Sequence, residues 1–170
     1  MATSPDDITA AGHVMLPGVG SFGAAMAALD ASGMTGALRA RIVLGRPTLS
    51  ICVGLQLFCR SSEESPGATG LGIVDAAVTR FPETVRVPQF GWNDLTAGEG
   101  CAVVRNGFAY FANSYRLTEP PAGWAVATAD HGGPFVAAME KGAVVACQFH
   151  PELSGAYGHA LLSRWIALPC

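Results

Sequence analysis

Pro47-Thr48-Leu49-Ser50-Ile51-Cys52-Val53-Gly54-Leu55-Gln56-Leu57-Phe58 is the stretch whose reading decides the fold. It reads as a short buried strand that runs into a helix, with a cysteine at the bend. Ser50 and Gly54 flank that cysteine two places on either side. A sharp strand-to-helix turn crowds those two positions, so only small side chains fit. This is the logic of the nucleophile elbow of G-x-S-x-G enzymes, with sulfur in place of oxygen. The reading carries three expectations. The thiol stands at the end of the strand. It sits at a helix N-terminus, where the positive end of the macrodipole favours thiolate. The Val53 N–H points to where a tetrahedral oxyanion would form. A lone cysteine in an apolar strand is ordinarily just a small buried hydrophobe. A nucleophile needs a base within hydrogen-bond reach.

The last apolar run before the C-terminal helix ends in Gln148-Phe149-His150-Pro151-Glu152. Side chains two apart on an extended segment share a face, so His150 and Glu152 lie together, and Pro151 holds the segment extended. A carboxylate beside an imidazole fixes its tautomer and leaves the other ring nitrogen free to take a thiol proton. Cys52 and His150 each end an apolar strand and each precede a helix. In a parallel sheet both reach the same edge. His13, His131 and His159 lack a carboxylate two residues on and read as structural or surface groups.

The 170 residues suffice for one domain, 1–170, with a sizeable core. Half of them are hydrophobic and 14% are charged, which suits an α/β domain whose central strands are covered on both faces. The net charge of −3, without a basic run, argues against nucleic acid as a partner. The five cysteines are scattered and include no C-x-x-C pair, so neither a disulfide framework nor a metal site is expected. Reduced thiols suit a cytoplasmic protein. Asp6 and Asp7 replace the basic start of a secretory leader. The apolar stretch 42–59 is interrupted by Arg46 and Pro47, so no membrane span is expected.

Taken in order, Met1–Ala11 reads as a loop or a short helical turn, and His13–Leu16 as a buried strand stopped by Pro17. Pro17–Gly23 is a glycine-rich turn at that strand's C-terminal end, where open α/β sheets bind ligands. Ala24–Leu29 and Met34–Leu44 read as helices, Thr48–Cys52 as a strand, Gly54–Arg60 as a helix. This alternation predicts a doubly wound, mostly parallel sheet. Ile73–Phe81 and Val85–Pro88 read as strands, and Gln89–Asp94 as a loop with two aromatics. Asn106-Gly107 suggests a hairpin between 101–104 and 108–112. Strands at 124–128, 135–139 and 143–149 follow, then a helix over 154–167 with Ser154 as N-cap.

Leu16–Gly23 (LPGVGSFG), Ser50–Gln56 (SICVGLQ), Val87–Asn93 (VPQFGWN), Tyr110–Tyr115 (YFANSY) and Gln148–Ser154 (QFHPELS), in this order, resemble the class I glutamine amidotransferases. The PGVG and GWN segments resemble the glutaminase subunits of imidazole glycerol phosphate synthase, from histidine biosynthesis. The resemblance implies a flavodoxin-like sheet flanked by helices, with an antiparallel extension and no cofactor. It implies Cys52 as nucleophile, His150 as acid/base and Glu152 as its orienter. Gly18, Val19 and Gly20 would form the oxyanion strand with the Val53 N–H. Gln56, Ser114 and Tyr115 would hold the amino-acid end of L-glutamine. Trp92 and Asn93 would meet a (β/α)₈-barrel cyclase, which uses the ammonia to make imidazole glycerol phosphate and AICAR.

The chain departs from that pattern at several positions. Ser50 stands where the elbow usually has Gly, Leu153 where Lys is frequent, and Asn113 where His is expected. The family also begins with a strand and helix ahead of the region matching 1–12. The resemblance therefore implies that roughly one βα unit is missing, leaving an apolar groove or an open sheet edge. These departures keep a non-catalytic or incomplete interaction subunit in view. A glutaminase for another synthase, such as that for pyridoxal phosphate, is a further alternative.

Overall fold

The computed structural model describes residues 1–170. Strands β1 (Val14–Leu16) and β2 (Thr48–Ile51) run parallel to each other and, with β10 (Val144–Cys147), form the parallel part of the main sheet. β2 lies in the middle of the three, and every one of its residues is buried. Its spelling alternates, Thr48-Leu49-Ser50-Ile51, yet no side chain reaches water, since the strand is covered on both faces and its two polar residues are small enough to pack inside.

The sheet continues through antiparallel neighbours. β9 (Pro134–Lys141) pairs with β10, β8 (Ala125–Asp130) with β9, β5 (Gln89–Ala97) with β8, and β6 (Gly107–Asn113) with β5. The full order is β1-β2-β10-β9-β8-β5-β6, seven strands, with β1 at one edge and β6 at the other. Short strands β3 (Ser61–Ser62), β4 (Ala77–Arg80) and β7 (Tyr115–Arg116) make a separate three-stranded sheet.

Helices α1 (Pro5–Ala10), α2 (Phe22–Ala31) and α3 (Thr35–Val43) pack on one side, around a cluster that includes Phe22, Leu38, Leu55 and Phe58. α5 (Gly155–Ile166) covers the other side, where Leu161 and Trp165 join Leu49, Phe135, Val145 and Phe149. The N-terminal segment is tied down by a buried cation. Arg41 of α3 donates to the carbonyls of Ile8, Ala11, Gly12 and Pro47. A guanidinium carries five N–H donors, so carbonyls alone can meet its needs where no carboxylate is near.

Several local expectations change. Gln89–Asp94 is not a loop but the first part of the nine-residue strand β5. Its partner is β6, in the register Trp92↔Tyr110 and Asp94↔Phe108. The strands expected at 85–88 and 101–104 do not form. For 101–104 the reason is a competing partner: the backbone N–H groups of Ala102, Val103 and Val104 are all taken by the buried carboxylate of Glu140. Asn106 accepts from the Ala97 N–H at 2.8 Å and closes the β5–β6 connection instead of an Asn-Gly turn. The strand expected over 73–81 shrinks to β4, and the helix expected over 54–60 shrinks to α4 (Val53–Gln56).

Candidate active site

Cys52 follows β2 and stands at the N-cap of α4, at φ +53° and ψ −110°. It is the one non-glycine residue with positive φ. Such a conformation costs about 1–3 kcal/mol and persists only where its surroundings enforce it. Those surroundings explain the small residues. A Cβ on Gly54 would sit 2.9 Å from the Leu16 carbonyl oxygen and 3.4 Å from the Ser50 Cβ. A Cβ on Gly18 would lie 1.9 Å from the Ile51 carbonyl oxygen and 2.6 Å from the Val53 nitrogen. The 17–20 turn therefore presses backbone against the elbow, and Gly18 permits it. Gly20, at φ +88°, turns the chain away again.

The opposing half comes from β10. The Cys52 N–H donates to the Cys147 carbonyl at 2.7 Å, extending the parallel ladder in which Cys147 stands beside Ile51. The chain then runs on through Gln148 and Phe149, so His150 emerges at the same sheet edge as Cys52. The His150 backbone is held at both its N–H and its carbonyl. Its N–H donates to the Tyr110 carbonyl at 2.9 Å, and its carbonyl accepts from Ser154 Oγ at 2.6 Å. Ser154 is the N-cap residue of α5, as expected, but its hydroxyl does not cap the helix: it is spent on His150 and on the Tyr110 N–H. His150 Nδ1 lies 2.7 Å from Glu152 Oε1. That bond commits Nδ1–H as donor and leaves Nε2 as the proton acceptor.

Burial pushes the Cys52 thiol up to about 11, assisted by the charges of Glu152 and Glu64 and opposed by the Val53 N–H and the Gln148 side chain. The expected thiolate at a helix N-terminus is therefore not the resting state. α4 has only four residues, too few aligned peptides for a strong macrodipole, and desolvation outweighs it. A base must remove the proton during the reaction.

A pocket of about 150 Å³ brings Gly20, Cys52, Val53, Gln56, Ser114 and Tyr115 together. Gly18 packs beneath the elbow, and Val19 points outward at 83% exposure. The same pocket holds Asn113 and Glu64. Nothing in the sequence marked Glu64 for this place. Its Oε2 accepts from the Phe22 N–H at 2.7 Å, at the start of α2. A larger surface cavity of about 540 Å³ beside β1 contains no cysteine and none of the residues above except Pro17 of the glycine-rich turn. No cluster of three or more His, Cys, Asp or Glu side chains could hold a metal ion. No helix is long and apolar enough to cross a membrane.

Trp92 and Asn93 lie on opposite faces of β5. Trp92 is exposed, beside Tyr110 at 6.1 Å between ring centroids, with Phe90 and Phe108 exposed on the same face. Asn93 turns the other way. Its Nδ2 donates to the Asp130 carbonyl and its Oδ1 accepts from the Asp94 N–H.

Comparison with known proteins gives a consistent picture. The family model "Glutamine amidotransferase class-I" matches residues 2–167. The chain is 41% identical to the imidazole glycerol phosphate synthase subunit HisH of Thermus thermophilus, over 96% of this chain and 81% of that protein. It is 40% identical to the chloroplastic imidazole glycerol phosphate synthase hisHF of Arabidopsis thaliana, over 96% of this chain, but spans only 29% of that longer protein. A crystal structure described as a glutamine amidotransferase superposes with a TM-score of 0.73 at 21% identity, covering 96% of this chain and 82% of that one.

Proposed function

The chain belongs to the class I glutamine amidotransferases, and from that premise we propose that it is the glutaminase subunit of an imidazole glycerol phosphate synthase. It hydrolyses L-glutamine to glutamate and passes the ammonia to a (β/α)₈-barrel cyclase. The observation that carries the chemistry is the parallel β2–β10 register, which delivers a strained Cys52 and a Glu152-oriented His150 to one sheet edge. The pathway and partner rest on the HisH relatives, and the fusion-sized Arabidopsis protein supports a docked arrangement.

In this reading glutamine enters the pocket with its side-chain amide at Cys52. Its α-ammonium needs acceptors, and the Glu64 carboxylate is the one anion lining the pocket. Its α-carboxylate needs donors, which the Ser114–Tyr115 backbone offers. His150 Nε2 takes the thiol proton as sulfur attacks the amide carbon. The oxyanion accepts from the Val53 N–H and from the 17–20 strand packed against it. His150 then returns the proton to the departing nitrogen, so ammonia leaves and a thioester forms. Water deprotonated by His150 attacks the thioester, releasing glutamate and restoring the thiol.

Cys52→Ala tests this directly. It removes the nucleophile and leaves the fold and the exposed aromatic face untouched. Glutamine-dependent ammonia release should fall by at least about 10⁴-fold, in line with loss of a covalent nucleophile, while binding to the cyclase persists. Glutamine hydrolysis by that variant would overturn the mechanism.

A further inference from the structure

Gln148 lies between the two halves of the site and takes no part in the chemistry above. It is completely buried, on the segment that joins β10 to His150. Its Nε2 lies 3.7 Å from Cys52 Sγ, and its Oε1 accepts from Gln56 Nε2 at 3.0 Å. Gln56 Nε2 also donates to the Tyr115 carbonyl at 3.2 Å.

The orientation of both amides follows from that last contact. A backbone carbonyl only accepts, so the Gln56 atom facing Tyr115 must be its nitrogen. That nitrogen has two hydrogens, and the second meets Gln148. The Gln148 atom facing it must then be oxygen, which leaves the Gln148 NH₂ facing sulfur. The chain of donors runs one way from a fixed carbonyl to the nucleophile. No alternative flip satisfies all three contacts.

We propose that Gln148 is a positioning residue for the nucleophile, holding a permanent N–H against Cys52 Sγ, with its amide aimed by Gln56 from the substrate pocket. The Val53 N–H approaches the same sulfur. A donor cannot take the thiol's own proton, so neither N–H competes with the base for it. Once the proton has gone, both N–H groups become charge-assisted donors to the thiolate, roughly twice as strong as before. They also act against burial, which holds the thiol at about 11. The relay makes Gln56 serve two ends: it lines the pocket for the substrate's amino-acid group and orients the donor at the reacting sulfur.

This inference rests on Cys52 being the nucleophile, so its test reads the thiol itself and not glutamine turnover. The second-order rate of Cys52 alkylation by iodoacetamide is measured at pH 8, by mass spectrometry of the Cys52 peptide, which separates it from the other thiols. Three proteins are compared: the unaltered chain, Gln148→Leu and Gln148→Glu. Leucine removes the donor. Glutamate keeps the shape and still accepts from Gln56, so it is the milder change for packing, but it sets a carboxylate against the sulfur. The expected order is a fall of about 3- to 10-fold for Gln148→Leu and at least about 30-fold for Gln148→Glu, as each raises the thiol pKa further. A residue that merely fills space would leave the Gln148→Leu rate at that of the unaltered chain, and that result overturns the proposal, whereas the glutamate carboxylate slows the thiol by its charge in either case. Equal rates in all three also overturn it. Circular dichroism confirms that each variant is folded. If leucine at this site unfolds the chain, Gln148→Met replaces it as the variant that fills the volume without an N–H, and a rate within about twofold of the unaltered chain overturns the proposal. Failure of iodoacetamide to reach Cys52 in the unaltered chain would bring down the functional reading and this inference together. A reactive Cys52 with unchanged variants brings down this inference alone.

Discussion

β2 and β5 make an instructive pair. β2 has four residues, all buried, and is flanked on both sides by parallel partners. β5 has nine, and along it buried or half-buried residues alternate with exposed ones. The first strand leads into Cys52, the proposed nucleophile, whose strained conformation needs a rigid frame. The second presents Phe90 and Trp92 to solvent, with Phe108 and Tyr110 on the neighbouring strand. A strand covered on both faces spends its whole sequence on packing, and the chemistry appears only where it ends. A half-covered strand has a spare face, and here that face is aromatic, a composition enriched at protein interfaces.

The sharpest way to break this contrast is to truncate one side chain on each. Leu49→Ala in β2 should cost about 3 kcal/mol, because Leu49 is fully enclosed and the cavity left behind cannot close. Phe108→Ala on the exposed face, at 60% exposure, should change stability by no more than about 0.5 kcal/mol. Urea unfolding measures both, and equal losses would mean that the β5–β6 face is part of the core.

Glu152→Gln comes next in size. The Nδ1 contact at 2.7 Å survives in shape but loses its charge. Glutamine hydrolysis should slow by about 10- to 100-fold. That is less than the ~10⁴ seen where the orienting carboxylate of a triad is buried, because the Glu152 side chain is half exposed. An unaltered rate and pH–rate profile would mean that His150 is oriented by its backbone contacts alone.

Trp92→Ala should weaken binding to the cyclase by about 10- to 30-fold, the scale of one interface aromatic. Ammonia release by the isolated chain should hold steady. Titration calorimetry with the cyclase gives the first quantity, and an ammonia assay the second. Loss of glutaminase activity without loss of binding would reassign Trp92 from the outer face to the site.

The last prediction concerns pH dependence. Burial raises the Cys52 thiol above its ordinary value of 9.0, to about 11, so the neutral form dominates below that pH. The rate of Cys52 alkylation should therefore keep rising by up to about tenfold per pH unit from pH 8 to 10, without levelling near neutrality. A plateau near pH 7 would show that the short α4 helix and its donors outweigh burial after all.

How much of this could be read from residue order differs between the two strands. The elbow was legible because crowding leaves a mark: Ser50 and Gly54 are small beside the bend, while the close approach of Gly18 to the same bend shows only in the structure. The His150–Glu152 pair was legible because its spacing is local, although Pro151–Leu153 forms a 3₁₀ turn and not the extended segment expected, and the two side chains meet at the start of that turn. The β5–β6 pairing was hidden, since Asn106-Gly107 looks like a tight turn and nothing near 101–104 announces that Glu140, far along the chain, claims its N–H groups. Glu64 was hidden for the same reason: it reaches the pocket across a separation of 42 residues from the Phe22 N–H it caps.

Sequence alone thus determined the chemical cast, a thiol at a strand-to-helix bend and an imidazole with its carboxylate, because those signals depend on neighbours two to four residues apart. Tertiary structure decided what surrounds them. Which face of β5 looks outward, which carboxylate enters the pocket, and how the amides of Gln56 and Gln148 point at sulfur all depend on contacts between distant segments. Burial is likewise a property of the assembled fold, and it overrides the local helix-end effect that the Cys52 sequence suggests.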